Sequence, residues 1–333
     1  GSRLARSDKR GEDWYWISPN LSRGIDRDTL KVMGRIWPEN AVWKNVFTND
    51  YGIGVAFSES PFDQDYLVVG TDDGLIQITE DGGDTWREID SFPGVPSLIY
   101  VSCVVASRHD PDRIYALFNN HKRGDFKPYV LKSEDRGRSW TTITGGLPNG
   151  HVAWDLIEDP ENEDLLFLGT ELGLWMSPSG GRGWSPLGKQ AGLPTIPVRD
   201  LEIHEGRGDL VVATFGRGFY VLDDYTPLRG VPSAFFQGGG IFPIRDAFVY
   251  EPIRYYSAGS GSGDYTAENP PYGAMISYFL ADGVAGEDAE VALVVRDSAG
   301  EVVAEVDGTG DTAWNRVTWN LRSSLQPPES EGG

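Results

Sequence analysis

Asp50, Asp72, Asp155 and Asp200 are the residues whose placement comes nearest to acid–base chemistry. Each stands beside a short apolar run, where a strand would end, and strand ends gathered around an axis form concave sites. Two carboxylates opposed across such a cleft could protonate a glycosidic oxygen and activate a water beneath the sugar. Spacing alone selects no pair from 50 acidic residues, so the sequence assigns no catalytic residue. His109, His121, His151 and His204 lie beside turns or strand edges, without HExxH or His-x-His spacing, and no zinc site is expected. Asp110-Pro111-Asp112 and the acidic run 159–164 lack the spacing of a calcium-binding loop and read as solvated hairpin turns. Cys103, the single cysteine, lies in the apolar run 101–106 and reads as a buried thiol. Gly216-Arg217-Gly218 precedes no helix, so it is a strand turn and not a phosphate loop. No metal and no cofactor is expected.

Charge excludes further classes. The net charge is −21, from 29 Lys and Arg against 50 Asp and Glu. A nucleic-acid partner needs a basic face, and an anionic lipid surface repels such a chain. A protein partner remains open. No apolar run approaches the length of a membrane helix, so the chain has no transmembrane segment of its own. No leader peptide is expected in these residues, and the N-terminus is open to three readings: native, left by removal of a longer segment, or a leading Gly-Ser added by cloning.

Whatever chemistry there is must be positioned by a repeat. Ser7 to Trp14, Thr79 to Trp86, Ser133 to Trp140 and Ser177 to Trp184 align without gaps on S/T-x-D-x-G-x-T/S-W. The pattern is complete at Thr79, Asp81, Gly83 and Trp86, and at Ser133, Asp135, Gly137 and Trp140. It is degraded at Ser7, Gly11 and Trp14 and at Ser177, Gly181 and Trp184. Upstream of three boxes lies a second repeat: an apolar run, a Pro- or Asp-rich turn, then a run such as Tyr66-Leu67-Val68-Val69-Gly70-Thr71 or Leu165-Leu166-Phe167-Leu168-Gly169-Thr170. A fourth copy, 198–214, lacks the box and continues into Gly218-Phe219-Tyr220-Val221-Leu222. Each unit reads as strand, turn, strand, turn, strand, box, short strand, which is a propeller blade. In the box, Ser/Thr and Asp tie back a tight hairpin, Gly takes a conformation other residues resist, and Trp packs between neighbouring sheets. The acidic residues of the boxes therefore read as structural.

These residues resemble the Asp-box (BNR) repeat superfamily, which includes sialidases, xyloglucan-cleaving propellers, sortilin-type receptor ectodomains and photosystem II stability factors. The run 211–224 and the module after it are most similar to bacterial secreted sortilin-like or glycosyl-hydrolase-like propellers with a C-terminal Ig-like module. The resemblance covers roughly residues 5–230 through the repeat and 270–322 through the module, and it implies a fold more than an activity. A sialidase would bring an arginine triad, a Tyr–Glu nucleophile pair and an acidic Asp, a set that cannot be assigned here.

The expected architecture is all-β: an Asp-box propeller of about five blades over 1–230, a linker with a strand or two over 231–265, and an Ig-like β-sandwich over 266–325. In the last, 273–280, 289–297, 301–306 and 315–321 alternate or run apolar like strands, with a hairpin turn at Asp297-Ser298-Ala299-Gly300. The first box lies so near the N-terminus that two strands of its blade are missing. Either the N-terminal pair completes the last blade and closes a ring, or the ring is shortened and leaves open edges. Residues 25–45 offer Met33, Ile36, Trp37, Val42 and Trp43 as a partner-contact patch, with interblade packing the alternative.

Two functions are consistent with this reading. One is a non-catalytic scaffold or extrinsic subunit, periplasmic or extracellular, docking on a membrane-embedded photosynthetic or respiratory complex. The other is a carbohydrate-active propeller, a glycoside hydrolase or a lectin, drawing on superfamily membership and 11 Trp.

Overall fold

Short runs of β-branched and aromatic residues, each closed by Gly, Asp or Pro, fold here into consecutive antiparallel meanders. The computed structural model describes residues 1–42, 44, 51–188, 192–230, 239–250, 271–281, 290–311 and 313–323. By internal contacts the chain divides into two units, Gly1–Leu222 and Asp223–Gly333.

The first unit opens with a hairpin, β1 (Ala5–Arg6) and β2 (Tyr15–Trp16). Three four-stranded sheets come next in chain order. They are β3 (Gly54–Ser60), β4 (Asp63–Thr71), β5 (Ile76–Thr79) and β6 (Arg87–Ile89); β7 (Tyr100–Ala106), β8 (Ile114–Asn120), β9 (Asp125–Ser133) and β10 (Thr141–Thr142); and β11 (Ala153–Glu158), β12 (Leu166–Thr170), β13 (Gly173–Ser177) and β14 (Ser185–Pro186). A three-stranded sheet, β15 (Val198–His204), β16 (Asp209–Thr214) and β17 (Phe219–Leu222), ends the series. Their first strands lie side by side in the order β3, β7, β11, β15. Consecutive up-and-down sheets joined at their inner strands have the architecture of a β-propeller.

Burial is set by that stacking. In β8 and β12 almost every residue is buried on both faces, since each second strand is sandwiched between the neighbouring sheets. Tyr66, Val68, Ile78, Val101, Ile114, Phe118 and Leu131 form one interface core. Leu117, Val130, Ile143, Leu156, Leu168 and Trp184 form the next. Each such side chain contributes about 1.5–3 kcal/mol on burial. Close approach of sheets is permitted by Gly70, where a Cβ would collide with the Val101 side chain.

The four box tryptophans do not behave alike. Trp184 is buried and Trp86 and Trp140 are half-buried, but Trp14 is 66 % exposed. Its hairpin is the outermost element of the series among the described residues, so no further sheet covers that ring. The same hairpin departs from the ring-closing arrangement in which the N-terminal pair joins the last blade. Among the described residues β1 and β2 pair only with each other. They are held toward β3–β6, where Gly54 N donates to Gly1 O (3.0 Å) and Trp86 Nε1 to Ile17 O (3.1 Å). Arg23 adds a bond from its N to Asp73 Oδ2 (2.8 Å). These anchors commit the segment to the first full sheet.

In the second unit, β18 (Gly240–Ile241), β19 (Ala274–Leu280) and β22 (Ala313–Trp319) form one sheet, and β20 (Ala292–Arg296) pairs with β21 (Val302–Asp307). Ile276, Tyr278 and Leu293 are its core, with Val306, Val317 and Trp319 packed against them. The β20–β21 turn closes as Asp297 N donates to Glu301 O and Gly300 N to Asp297 O, both at 3.0 Å.

The box glycines provide a test of the stacking. Gly181 has φ +87°, and a Cβ there would lie 2.6 Å from Ile143 Cδ1. Gly181→Ala is expected to cost about 2–4 kcal/mol through backbone strain and overpacking. Gly94→Ala, at φ +72° in open space, is expected to cost about 1 kcal/mol. Urea denaturation midpoints of the two variants measure the difference.

Candidate binding face

The box turns are local hydrogen-bond devices. Thr79 Oγ1 accepts from Gly83 N (2.9 Å) and donates to Asp81 Oδ1 (2.7 Å), which also accepts from Thr85 N (2.9 Å). Asp81 Oδ2 takes the Thr85 hydroxyl at 2.6 Å. Ser133, Asp135, Gly137 and Ser139 reproduce every one of these bonds. Where Lys9 and Ser179 replace the Asp, the Ser7–Gly11 and Ser177–Gly181 bonds persist at 2.7 and 2.9 Å. Gly82, Arg136 and Gly180 each donate a backbone N–H to the carbonyl of Asp65, Asp112 or Asp164, at or beside the turn between the first two strands of the same sheet. The hydrogen bonds hold the Asp81 and Asp135 carboxyls down at about 2, with the Thr85 and Ser139 hydroxyls the largest cause. All their oxygens face their own turn, and no chemistry is left for a ligand.

The opposite end of the sheets is different. Each inner strand carries a register shift near its start, between Gly54 and Ala56, Val101 and Cys103, Ala153 and Asp155, and Val198 and Asp200. The extra residues, Val55, Ser102, Trp154 and Arg199, differ from sheet to sheet while the bulge does not; bulges re-aim side chains in this way. The Arg199 guanidinium carbon lies 3.5 Å over the Trp154 ring and 5.3 Å from Phe215. Glu171, in the β12–β13 turn, accepts from Trp154 Nε1 (2.8 Å) and pairs with Arg199 (3.2 Å). His121 meets the Trp154 edge at 5.2 Å and shares its Nδ1 with Asn119 Oδ1 at 2.9 Å. Burial lowers the His121 and His151 pKa values, so both imidazoles are neutral at pH 7. Beyond Asn119 lies a cleft of about 260 Å³ lined by Tyr51, Asp72, Tyr100, Lys122 and Arg123 among others. A ribbon of aromatic, amide and charged side chains thus runs across four successive sheets, from Tyr51 to Phe215.

The sequence did not single out Trp154, Arg199, Glu171, Asn119, Tyr51 or Tyr100. The available signal was the variable column at 55, 102, 154 and 199 in otherwise similar strands. Of the carboxylate candidates, Asp50 lies outside the described residues. Asp72 Oδ1 accepts from Gly52 N (2.9 Å) and Ile53 N (2.8 Å), which fixes the start of β3. Asp155 Oδ1 takes the Cys103 thiol (3.1 Å) and Oδ2 takes Leu201 N (2.8 Å), a donor also within 3.1 Å of Asp200 Oδ1. Burial, with Asp200 adding repulsion, pushes Asp155 up to about 6, and burial raises the Cys103 thiol well above its ordinary value. The thiol is therefore inert. No metal-ligating cluster occurs among the described residues.

Of the expected contact patch, Met33, Ile36 and Val42 stand exposed, the first at 94 %. Trp37 is half-buried under Arg35, whose guanidinium carbon lies 3.4 Å from its ring, and donates Nε1–H to Val32 O at 3.0 Å. Trp43 lies outside the described residues.

No family model matches the chain. It is similar to a xyloglucanase of Paenibacillus sp, 29 % identical over 162 residues, which are 44 % of this chain and 16 % of that protein. It is also similar to Xyloglucanase Xgh74A of Acetivibrio thermocellus, 28 % identical over 207 residues, 57 % and 24 % of the two chains. The chain thus spans between a sixth and a quarter of the length of these curated relatives. Among solved structures, the GH74 xyloglucanase from Xanthomonas campestris superposes with a TM-score of 0.40 at 14 % identity, over 52 % of this chain and 29 % of that one. YCF48 from Cyanidioschyzon merolae does so with a TM-score of 0.37 at 16 % identity, over 50 % and 52 %.

The two kinds of Asp titrate with opposite sign. Asp81 and Asp135 fall below their ordinary value of 3.8, so their stabilisation is full above about pH 4 and lost as pH falls toward 2. Asp155 is raised to about 6, so its contribution is full below about pH 4 and lost as pH rises through 6. Asp155→Asn is expected to flatten the stability profile between pH 4 and 6 alone. Asp81→Asn is expected to flatten it only below pH 4. Urea midpoints across pH 2–7 check both.

Proposed function

We propose that this chain is a non-catalytic glycan-binding β-propeller. The observation that carries the reading is the ribbon from Tyr51 through Asn119, His121 and Trp154 to Arg199 and Phe215. Its aromatic faces suit sugar rings, and its amide and charged groups suit hydroxyls. The carboxylates on that face support binding over hydrolysis, since Asp72 and Asp155 are engaged by backbone N–H groups. The relatives named as xyloglucanases support a xyloglucan-type polysaccharide as ligand. In this proposal the box turns are Asp-box repeats, residues 1–230 form a propeller of about five blades or a shortened ring, and 266–325 form an Ig-like sandwich after the 231–265 linker. The protein works at the periplasmic or extracellular side.

A second reading has its own support. Met33, Ile36 and Val42 are each exposed, and Trp14 and Trp16 are exposed on the N-terminal hairpin. An apolar surface of this kind suits a protein partner, including a membrane-embedded complex on which the chain would act as an extrinsic scaffold.

Calorimetric titration with xyloglucan oligosaccharides separates the two readings. The glycan reading expects micromolar to millimolar binding, a loss of tenfold or more in Trp154→Ala, and no release of reducing ends. Binding unaffected by Trp154→Ala, or no binding at all, would overturn it. Turnover abolished by Asp155→Asn would replace it with a hydrolase.

A further inference from the structure

The cleft at the Tyr51 end of the ribbon has a chemistry of its own. Asn119 is 3 % exposed, yet its Nδ2 makes no hydrogen bond. Its Oδ1 is occupied by His121 Nδ1 at 2.9 Å, so with the neutral imidazole donating from Nδ1 the amide N–H₂ is left over. A buried donor without an acceptor costs about 1–3 kcal/mol. Such a group on the wall of a cleft marks a place where an acceptor belongs.

The cations at the cleft add a second, independent observation. In a chain of net charge −21, most arginines near the boxes meet carboxylates, as Arg136 meets Glu80 and Asp112 at 2.9 and 2.7 Å. Lys122 and Arg123 meet none among the described residues. The Lys122 ammonium lies 5.9 Å from the centre of the Tyr100 ring, and Arg123 reaches only Ser97 O at 3.3 Å. Asp72, the acidic residue lining the cleft, spends Oδ1 on Gly52 and Ile53. Asn119, with its unmet amide donor, and the two cations Lys122 and Arg123 thus line one small cleft together with Tyr51, Tyr100 and Asp72.

We infer that this cleft is a subsite for a hexuronic acid residue of an acidic glycan. The sugar carboxylate would take the Asn119 amide and the two cations, and its ring would lie against the tyrosines. A carboxylate is the acceptor that satisfies all three donors at once, because charge-assisted bonds are about twice as strong as neutral ones. The inference rests on the glycan reading above and differs from it in giving the ligand an acidic residue, which the neutral xyloglucan oligosaccharides lack and which the parallel titration therefore separates.

Calorimetry at low salt with D-galacturonate, D-galactose and acetate is the test, with xyloglucan oligosaccharides titrated in parallel. Galacturonate is expected to bind at least tenfold more tightly than galactose or acetate, and to weaken as salt is raised. Lys122→Ala with Arg123→Ala, both on the surface, is expected to remove that preference tenfold or more. Asn119→Ala should reduce it about fivefold, and an unchanged unfolding midpoint in each variant excludes simple loss of fold. Equal affinity for galacturonate and galactose overturns the inference, as does acetate binding as tightly as galacturonate, or a preference that survives the double substitution. Xyloglucan binding without galacturonate binding overturns this subsite and leaves the glycan reading intact. Failure of both ligands overturns both.

Discussion

The stacking of the first unit depends on second strands that have no solvent face. A second strand such as Leu166–Thr170 is buried throughout, so it must be covered on both sides. The contact that achieves this is repeated with little change. A box glycine sits against an isoleucine at the outer edge of the preceding sheet, Gly83 on Ile17, Gly137 on Ile89 and Gly181 on Ile143. Beside two of these, the tryptophan donates to the isoleucine carbonyl, Trp86 to Ile17 O at 3.1 Å and Trp184 to Ile143 O at 2.7 Å. In the third, Trp140 Nε1 is buried without a partner and the packing alone remains. The hydrogen bond is therefore an addition to the contact, and the fit of glycine against isoleucine is its basis.

Placing these staples at one end of the three four-stranded sheets frees the other. The box end is constrained by bonds whose donors and acceptors lie within a few residues, so its side chains can change only where the bond is dispensable, as at Ser179. The far end shares a bulge, a feature of the backbone, beside carboxylates such as Asp72 and Asp155 that pin neighbouring N–H groups. A bulge holds its geometry whether the extra residue is Val55, Ser102, Trp154 or Arg199, and so tolerates the variation that recognition needs.

This division also decides what could be read from the sequence. The box turns were legible because Thr79, Asp81, Gly83 and Trp86 are near neighbours in the chain, and local hydrogen bonding is set by spacing. The strands were legible for the same reason, with 273–280 expected and Ala274–Leu280 found. The exposure of Trp14 was not, because it depends on what lies outside the hairpin and not on the motif. The ribbon was not legible either. His121, Trp154, Glu171 and Arg199 come from three sheets, and the bulges at Trp154 and Arg199 together with the loops holding His121 and Glu171 bring them together. Nor were the partners of Asp155 legible: it lies in β11, and Cys103 and Leu201 N, both distant in sequence, occupy its oxygens.

Charge shows how far that separation goes. A chain of net charge −21 would be expected to leave few cations unneutralised, and around the box end it does not. Arg113 lies within ion-pair distance of Asp110, Glu158 and Glu163, and Arg136 binds two acids, so acids and bases cancel where the structure is fixed. On the bulged end Arg199 is shared between Glu171 and the Trp154 face, while Lys122 and Arg123 stand without a carboxylate among the described residues. An unpaired charge gains nothing for folding and remains attractive to a ligand. Partnered charge at one end and unpartnered charge at the other is the pattern expected where stability and recognition have been assigned to opposite ends of the same strands.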